Sequence, residues 1–410
     1  MSEPLVIIGN GMAAVRLVEE LAKTALGRYA IAVIGDEPRL AYNRVLLSSV
    51  LAREVSKAEI ELRPAQWWRD RGVTLLYGQS AAATAIDAGI RRVRLATGAT
   101  LPFARLVIAT GSKPIRLAVK GMDLPGVLTF RDLTDVAAIE EAASGGRRAV
   151  VIGGGLLGLE AAYGLAKAGA RVTVVHLMDR LMERQLDPTA AAMLKRAVES
   201  KGITVELSAD TAAITGDGRV EAVQLADGRA LPADLVVVAA GIRPNVELAH
   251  GAGIEIGRGI LVDDHLQTST RGIYAIGECA EHRGACYGLV EPAYEQARAL
   301  ASHLSGGAGA YRGSVLATNL KVTGVNLFSA GDFLGGAGSE AIVMTDPGLG
   351  SYRKLVIKDG KLTGCVLFGD TNDGLWYLEL IRSGRSIETI RNDMMFGRAL
   401  AARADKSVAA

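Results

Sequence analysis

Cysteine is scarce in this chain. The three that occur among 410 residues, Cys279, Cys286 and Cys365, form no C-x-x-C pair and no ligand-spaced cluster with the five scattered histidines. No metal site is expected, and small, partly buried side chains are the ordinary role for these thiols. An excess of charge is lacking too. Lys and Arg number 46 against 44 Asp and Glu, a net charge of +2 with no basic run or aromatic-rich basic patch, so nucleic-acid binding has no support. No apolar run approaches the ~20 residues of a membrane span, and no signal-peptide core follows Met1, so a cytoplasmic enzyme is expected.

Glycine, by contrast, is abundant at 49 residues, and its placement is informative. The stretch VVIGGGLLGLEAA (150–162) runs from an apolar strand through Gly153, Gly155 and Gly158 into a helix that begins at Leu156 and Leu157. This is the strand–turn–helix grammar of a dinucleotide site. The first glycine permits the turn, the second lets a pyrophosphate approach the backbone, the third lets helix and strand pack, and the helix N-terminus faces the phosphates. The N-terminus repeats it as PLVIIGNGMAAVRLVEELA, with Gly9, Gly11, Met12, Ala13 and Ala14. After the next strand come Asp36 and Glu37, spaced so that one of them accepts hydrogen bonds from an adenosine ribose. In the second copy the equivalent place is His176, with Asp179 and Arg180 just beyond. That pocket is not plainly built for an unphosphorylated ribose: a neutral His176 suits a 2′-OH, and a charged one with Arg180 suits a 2′-phosphate.

A second feature is also duplicated. A hairpin and strand ending in Ala109, Thr110 and Gly111 recur as a strand ending in Ala240 and Gly241. The order implies a whole domain copied and inserted into itself. The run GIYAIGECAE (272–281), with Gly277 and Glu278, has no counterpart in the second copy and is expected to close the first sheet. The expected organisation is α/β, with two Rossmann-like three-layer (ββα) dinucleotide-binding domains and a small C-terminal α+β domain. Residues 1–115 and 237–312 are expected to form the first, split dinucleotide-binding domain, 116–236 the inserted one, and 313–400 the third. SGGAGAYRG (305–313) reads as a linker, 375–383 and 387–390 as helical, and the alanine-rich tail after Arg398 as frayed.

These features together resemble the two-dinucleotide flavoprotein reductases, in which FAD and NAD(P)H occupy duplicated domains. GNGMAA, EPRLAYNRVLLSS, GGGLLGLEAA, LMERQLD, AGIRPN, IYAIGECAE and YGLVEPAYEQA are similar to the flavoprotein part of NAD(P)H nitrite reductases and to the electron-transfer subunit of assimilatory nitrate reductase. The absence of iron–sulfur and sirohaem domains favours the latter. Two departures narrow the chemistry the resemblance implies. Where disulfide reductases carry cysteine, this chain reads AYNRVLLSSV. Ferredoxin and rubredoxin reductases place a lysine beside the flavin where this chain has Ser49.

The resemblance implies hydride transfer from NADH or NADPH to FAD, and then electron transfer to a redox protein, a nitrate or nitrite reductase subunit in the first instance. A rubredoxin or ferredoxin reductase, or a redox-sensing flavoprotein of the apoptosis-inducing-factor type, is the alternative. On the FAD side it implies roles for Arg44, Ser49, Ala81, Arg131, Glu278 and Val290, the last at the start of a helix facing the flavin. On the nicotinamide side it implies that Glu160 meets the carboxamide. Asp179 opposing Arg180 favours NADH modestly over NADPH. Oligomeric state is left open.

Overall fold

The computed structural model describes residues 2–401 except 26, 144, 145 and 323. Its first layer is a five-stranded parallel sheet ordered Ile273–Ala275, Arg105–Ile108, Glu3–Ile8, Tyr29–Gly35, Thr74–Tyr77. The central strand is apolar at consecutive positions because both of its faces are covered, as a parallel sheet requires. Leu5 and Ile7 pack with Val15, Leu17 and Leu300 of the helices Met12–Thr24 and Val290–Leu304. Val6 and Ile8 point the other way, onto Ile86, Val93 and Leu95 of a three-stranded antiparallel sheet spanning residues 83–102.

The second copy repeats each layer. Its parallel sheet is ordered Thr204–Glu206, Arg171–Val175, Arg148–Ile152, Leu235–Val238, Val127–Thr129. Ala149 and Val151 face Leu159, Ala162 and Leu165 of the helix Leu156–Lys167. Val150 and Ile152 face Ile214, Val223 and Leu225 of a second antiparallel trio. The strand Ile273–Ala275 pairs with Leu106–Ile108 and completes the first sheet from beyond the insertion.

The expected crossing at 236/237 needs correcting. It falls inside Leu235–Val238, whose four residues all pair with Ala149–Ile152. The chain returns through Ala239–Gly241 into Ile242–Pro244, which runs antiparallel to Ser112–Pro114 on the outgoing crossing. The inserted unit therefore hangs from a two-stranded strap.

The third unit is a five-stranded antiparallel sheet spanning 317–368, with the helix Gly374–Ser383 packed on it through Trp376, Tyr377 and Leu380. Residues 387–390 form a turn and not the expected helix, with Ile387 and Ile390 buried as plugs under the sheet. The glycine-rich segment 305–313 is pinned by Tyr311, which is 3% exposed and shares a hydrogen bond with Ser314. Of the expected frayed tail, residues 398–401 are helical and those from 402 on lie outside the described residues. Tyr352 in the third unit donates to Asp187 of the inserted unit at 2.5 Å, and the same carboxylate caps the helix Pro188–Glu199. Among the described residues no helix is long and apolar enough to cross a membrane.

Candidate functional site

Both fingerprint turns are shaped by steric necessity. A Cβ on Gly9 (φ +117°) would lie 2.1 Å from the Ala109 carbonyl oxygen, and one on Gly153 (φ +126°) would lie 2.3 Å from that of Ala239. Only glycine allows each turn to seat on its strand end. At Gly158 an added Cβ would meet the Gly153 carbonyl at 1.9 Å, so helix and turn are in backbone contact. Gly11 and Gly155 instead face open space. They are also the N-caps of their helices, and neither cap is closed by a side chain. The first-turn N–H groups, including those near Met12, Ala13, Leu156 and Leu157, are thus left for an anion. This is the cradle a pyrophosphate fits.

Around the first cradle the structure gathers Ala13, Ala109, Thr110, Gly111, Gly277 and Glu278. The Cβ of Ala13 lies 3.2 Å from where a Gly277 Cβ would be, while Gly111 stands 3.9 Å from the Glu278 carboxylate by the same measure. The Thr110 hydroxyl donates to the Asn245 carbonyl at 2.9 Å, and the Asn245 amide donates back to the Thr110 carbonyl at 2.8 Å. These bonds tie the outgoing and returning crossings together beside the cradle. Gly241 (φ +112°) lies next to this crossing, and the Gly277 N–H donates to the buried Gln296 side chain at 2.7 Å. Val290 begins the helix whose second turn carries Gln296.

Four of the five charged residues expected here sort into two ion pairs. Glu37 takes Arg44 and accepts from the Tyr42 hydroxyl at 2.7 Å. Glu278 takes Arg131 and accepts from the Ser112 hydroxyl at 2.7 Å. Arg44 also donates to the Arg131 carbonyl at 3.1 Å, so the pairs are joined. Of the two candidate ribose acids, Asp36 is exposed and Glu37 is held half-buried in this network. Ala81 ends a short turn whose N-cap, Gly78, donates its N–H to the Glu37 carbonyl.

The copies face each other where the helix Leu47–Leu51 crosses the helix Leu156–Lys167. A Cβ on Gly164 would meet Leu51 at 2.7 Å, so the contact is close. At this seam Glu160 shares a hydrogen bond with the Ser48 hydroxyl, and burial pushes its carboxyl up to about 7 despite that bond. Ser49, the expected flavin-side residue, has its carbonyl engaged by Glu54 and Val55. Ser48, which the sequence did not single out, is the residue that meets Glu160.

Two of the three thiols are fully buried. Cys279 is fully buried, its Sγ donating to the Ile276 and Ile108 carbonyls at 3.3 and 3.4 Å, and burial pushes its thiol up. Cys365 is buried in the third unit and pushed up to about 12.

At the nicotinamide cradle the expectation for His176 needs correcting. It is 8% exposed; its Nδ1 accepts from the Gly154 N–H at 3.0 Å, and its Nε2 bonds Glu183 at 3.1 Å. With both ring nitrogens engaged, neither a ribose hydroxyl nor a 2′-phosphate finds a free nitrogen there. The missed residue is Glu183, lying within the motif LMERQLD but seven positions beyond the strand end where an acid is sought. Arg180 bonds Asp179 at 2.9 Å.

Residues 3–299 match the family model for pyridine nucleotide-disulphide oxidoreductase, and 317–385 that for the rubredoxin NAD+ reductase C-terminal domain. The chain is 44% identical over 384 residues to a NAD(P)H nitrite reductase of Bacillus subtilis (strain 168), a match covering 93% of this chain and 48% of that protein. It is 42% identical over 392 residues to the assimilatory nitrate reductase electron transfer subunit of the same organism, covering 95% and 51%. It thus spans about half the length of these relatives. Among solved structures, the ferredoxin reductase for the CYP199A2 system from Rhodopseudomonas palustris superposes with a TM-score of 0.86 at 30% identity, covering 94% of this chain and 96% of that one. With two open-faced glycine cradles in one chain, the protein belongs to the pyridine nucleotide-disulphide oxidoreductase family and is an NAD(P)H-dependent oxidoreductase whose cofactors are FAD and the nicotinamide nucleotide.

Proposed function

We propose that this protein passes electrons from a nicotinamide nucleotide through FAD to a redox protein, a nitrate or nitrite reductase catalytic unit, in the cytoplasm. The observation that carries the reading is the seam at Ser48 and Glu160. The helix that leaves the second cradle packs there on Leu47–Leu51 of the first copy, and neither helix carries a cysteine, so reducing equivalents have no dithiol to visit.

FAD supplies the centre that takes a hydride and releases electrons singly. The chain's own residues hold and orient. The Gly9–Ala14 turn with Gly277 receives the FAD pyrophosphate, and the Glu37–Arg44 and Arg131–Glu278 pairs fix the polar rim on which the ribose and ribityl groups rest. The Gly153–Gly158 turn receives the nicotinamide nucleotide. Glu160, close to half-protonated near neutrality, would hold the carboxamide with its carboxyl. The packed helices Leu47–Leu51 and Leu156–Lys167 keep water from the seam.

Support for a nitrate or nitrite reductase as acceptor comes from the 42–44% identical relatives, whose names carry those activities. A ferredoxin-type carrier is the second reading, favoured by one observation: the ferredoxin reductase superposes over nearly its full length. Anaerobic stopped-flow separates them. NADH should bleach the flavin, and reoxidation should be faster with a nitrate or nitrite reductase catalytic unit than with ferredoxin or rubredoxin. The reverse order would select the carrier, and no bleaching by either nucleotide would end both readings.

A further inference from the structure

The strand end at His176 lacks the acid that normally accepts the adenosine ribose, yet a carboxylate reaches the same place by another route. After His176 the chain turns through Leu177–Gln185 and folds back over the glycine fingerprint. Met182 (φ +51°) donates its N–H to the Gly154 carbonyl at 3.0 Å, while the Gly154 N–H donates to His176 Nδ1. Both backbone polar groups of Gly154 are thereby tied to this loop. A Cβ at Gly154 would collide with the His176 ring and with Leu181, each at 2.7 Å, so loop and fingerprint are pressed together.

The network fixes the histidine's tautomer. Nδ1 accepts, so the ring hydrogen sits on Nε2 and is given to the Glu183 carboxylate. Glu183 is partly exposed, at 22%, so its remaining lone pairs face outward beside the turn. The charges around it are Asp179 and Arg180, paired with each other, Arg184, 4.0 Å from the other Glu183 oxygen and 86% exposed, and Glu206, paired with Arg229. None of these cations is committed to an anion site at the strand end.

We propose that Glu183 is the residue that accepts the adenosine-ribose 2′-hydroxyl of NADH and rejects the 2′-phosphate of NADPH, with His176 as its positioning residue. The assignment rests on the nicotinamide-dependent activity of the preceding section. A carboxylate accepting from a ribose hydroxyl makes a charge-assisted bond, whereas a 2′-phosphate there would place two anions in contact. The Arg180 Nε, buried without a hydrogen-bond partner, is the group that would compete for a phosphate.

The test is a binding cycle on the FAD-loaded protein by calorimetry, using NAD+, NADP+ and NAD+ lacking the adenosine 2′-hydroxyl. Wild type should prefer NAD+ to NADP+ and lose roughly tenfold or more in affinity for the deoxy analogue. Glu183→Gln should weaken NAD+ by a similar factor, strengthen NADP+, and bind NAD+ and the deoxy analogue nearly alike. His176→Ala should narrow the NAD+/NADP+ ratio in the same direction, with little further change in the double variant. A purely structural His176 would lower the melting temperature and leave the ratio alone. The assignment is overturned if wild type binds the deoxy analogue as well as NAD+, if it prefers NADP+, or if Glu183→Gln leaves the ratio unchanged. Failure of NADH to bleach the wild-type flavin overturns the underlying activity instead.

Discussion

Glu160 offers a perturbation whose size follows from its surroundings. Its carboxyl lies at the seam between the copies with a serine hydroxyl as partner, and burial raises it from 4.5 in the unfolded chain to about 7. A raised folded value means that the native state holds a proton the unfolded chain has released. Stability is therefore full below about pH 4.5 and is lost as pH climbs through 7. The interval of 2.5 units, at ~1.36 kcal/mol each, sets a ceiling of ~3 kcal/mol. Because the carboxyl is only partly shielded, about 2 kcal/mol is the expected effect. Glu160→Gln keeps the shape and the bond to Ser48 but removes the titration. Urea unfolding of FAD-loaded wild type and variant without nicotinamide, from pH 5 to pH 8.5, should give a stability difference that grows in the variant's favour by about that amount and levels above pH 8. Parallel curves across the range would refute a neutral carboxyl at the seam.

Acid extraction of the purified protein should release one FAD per chain and no stoichiometric iron; FMN or iron in equal amount would contradict the paired-cradle reading. Replacing Cys279, Cys286 and Cys365 together should cost NADH:ferricyanide activity less than tenfold, or ~1.4 kcal/mol in the barrier, and a larger loss would implicate a thiol. Tyr352→Phe should destabilise by ~1–3 kcal/mol, because it strips a hydrogen bond from Asp187, which is 4% exposed. Equal chemical-denaturation midpoints for variant and wild type would show that this tie carries no load.

Much of the scaffold was legible because its signals are local. The glycine spacings and the two strand ends at Gly111 and Gly241 are read within short strand–turn–helix stretches, even though the clashes that enforce Gly9 and Gly153 come from the distant Ala109 and Ala239, and duplication exposed the insertion. The crossing point was misplaced because strand length is decided by pairing with Ala149–Ile152, a partner nearly ninety residues away. The 387–390 segment has helical spacing of isoleucines, yet both side chains serve as plugs, and periodicity does not separate these cases. At the site, residue types were readable but partnerships were not. Nothing in YNR or GEC announces that Glu37 takes Arg44 or that Glu278 takes Arg131, and His176 was misjudged because its partners, Gly154 and Glu183, approach from a turn and a returning loop.

The late arrival of Ile273–Ala275 has a consequence for synthesis. During translation the strand Arg105–Ile108 emerges early and pairs on one edge with Glu3–Ile8, while its other edge waits for a segment some 165 residues downstream. All strands of the inserted unit, up to Val238, leave the ribosome in that interval. The nicotinamide unit can therefore reach its native form while the flavin unit still lacks its edge strand Ile273–Ala275 and its covering helix Val290–Leu304. A nascent chain stalled once residues up to about 250 have cleared the ribosome would carry a finished passenger on an unfinished host, and that stage is where chaperone capture should peak.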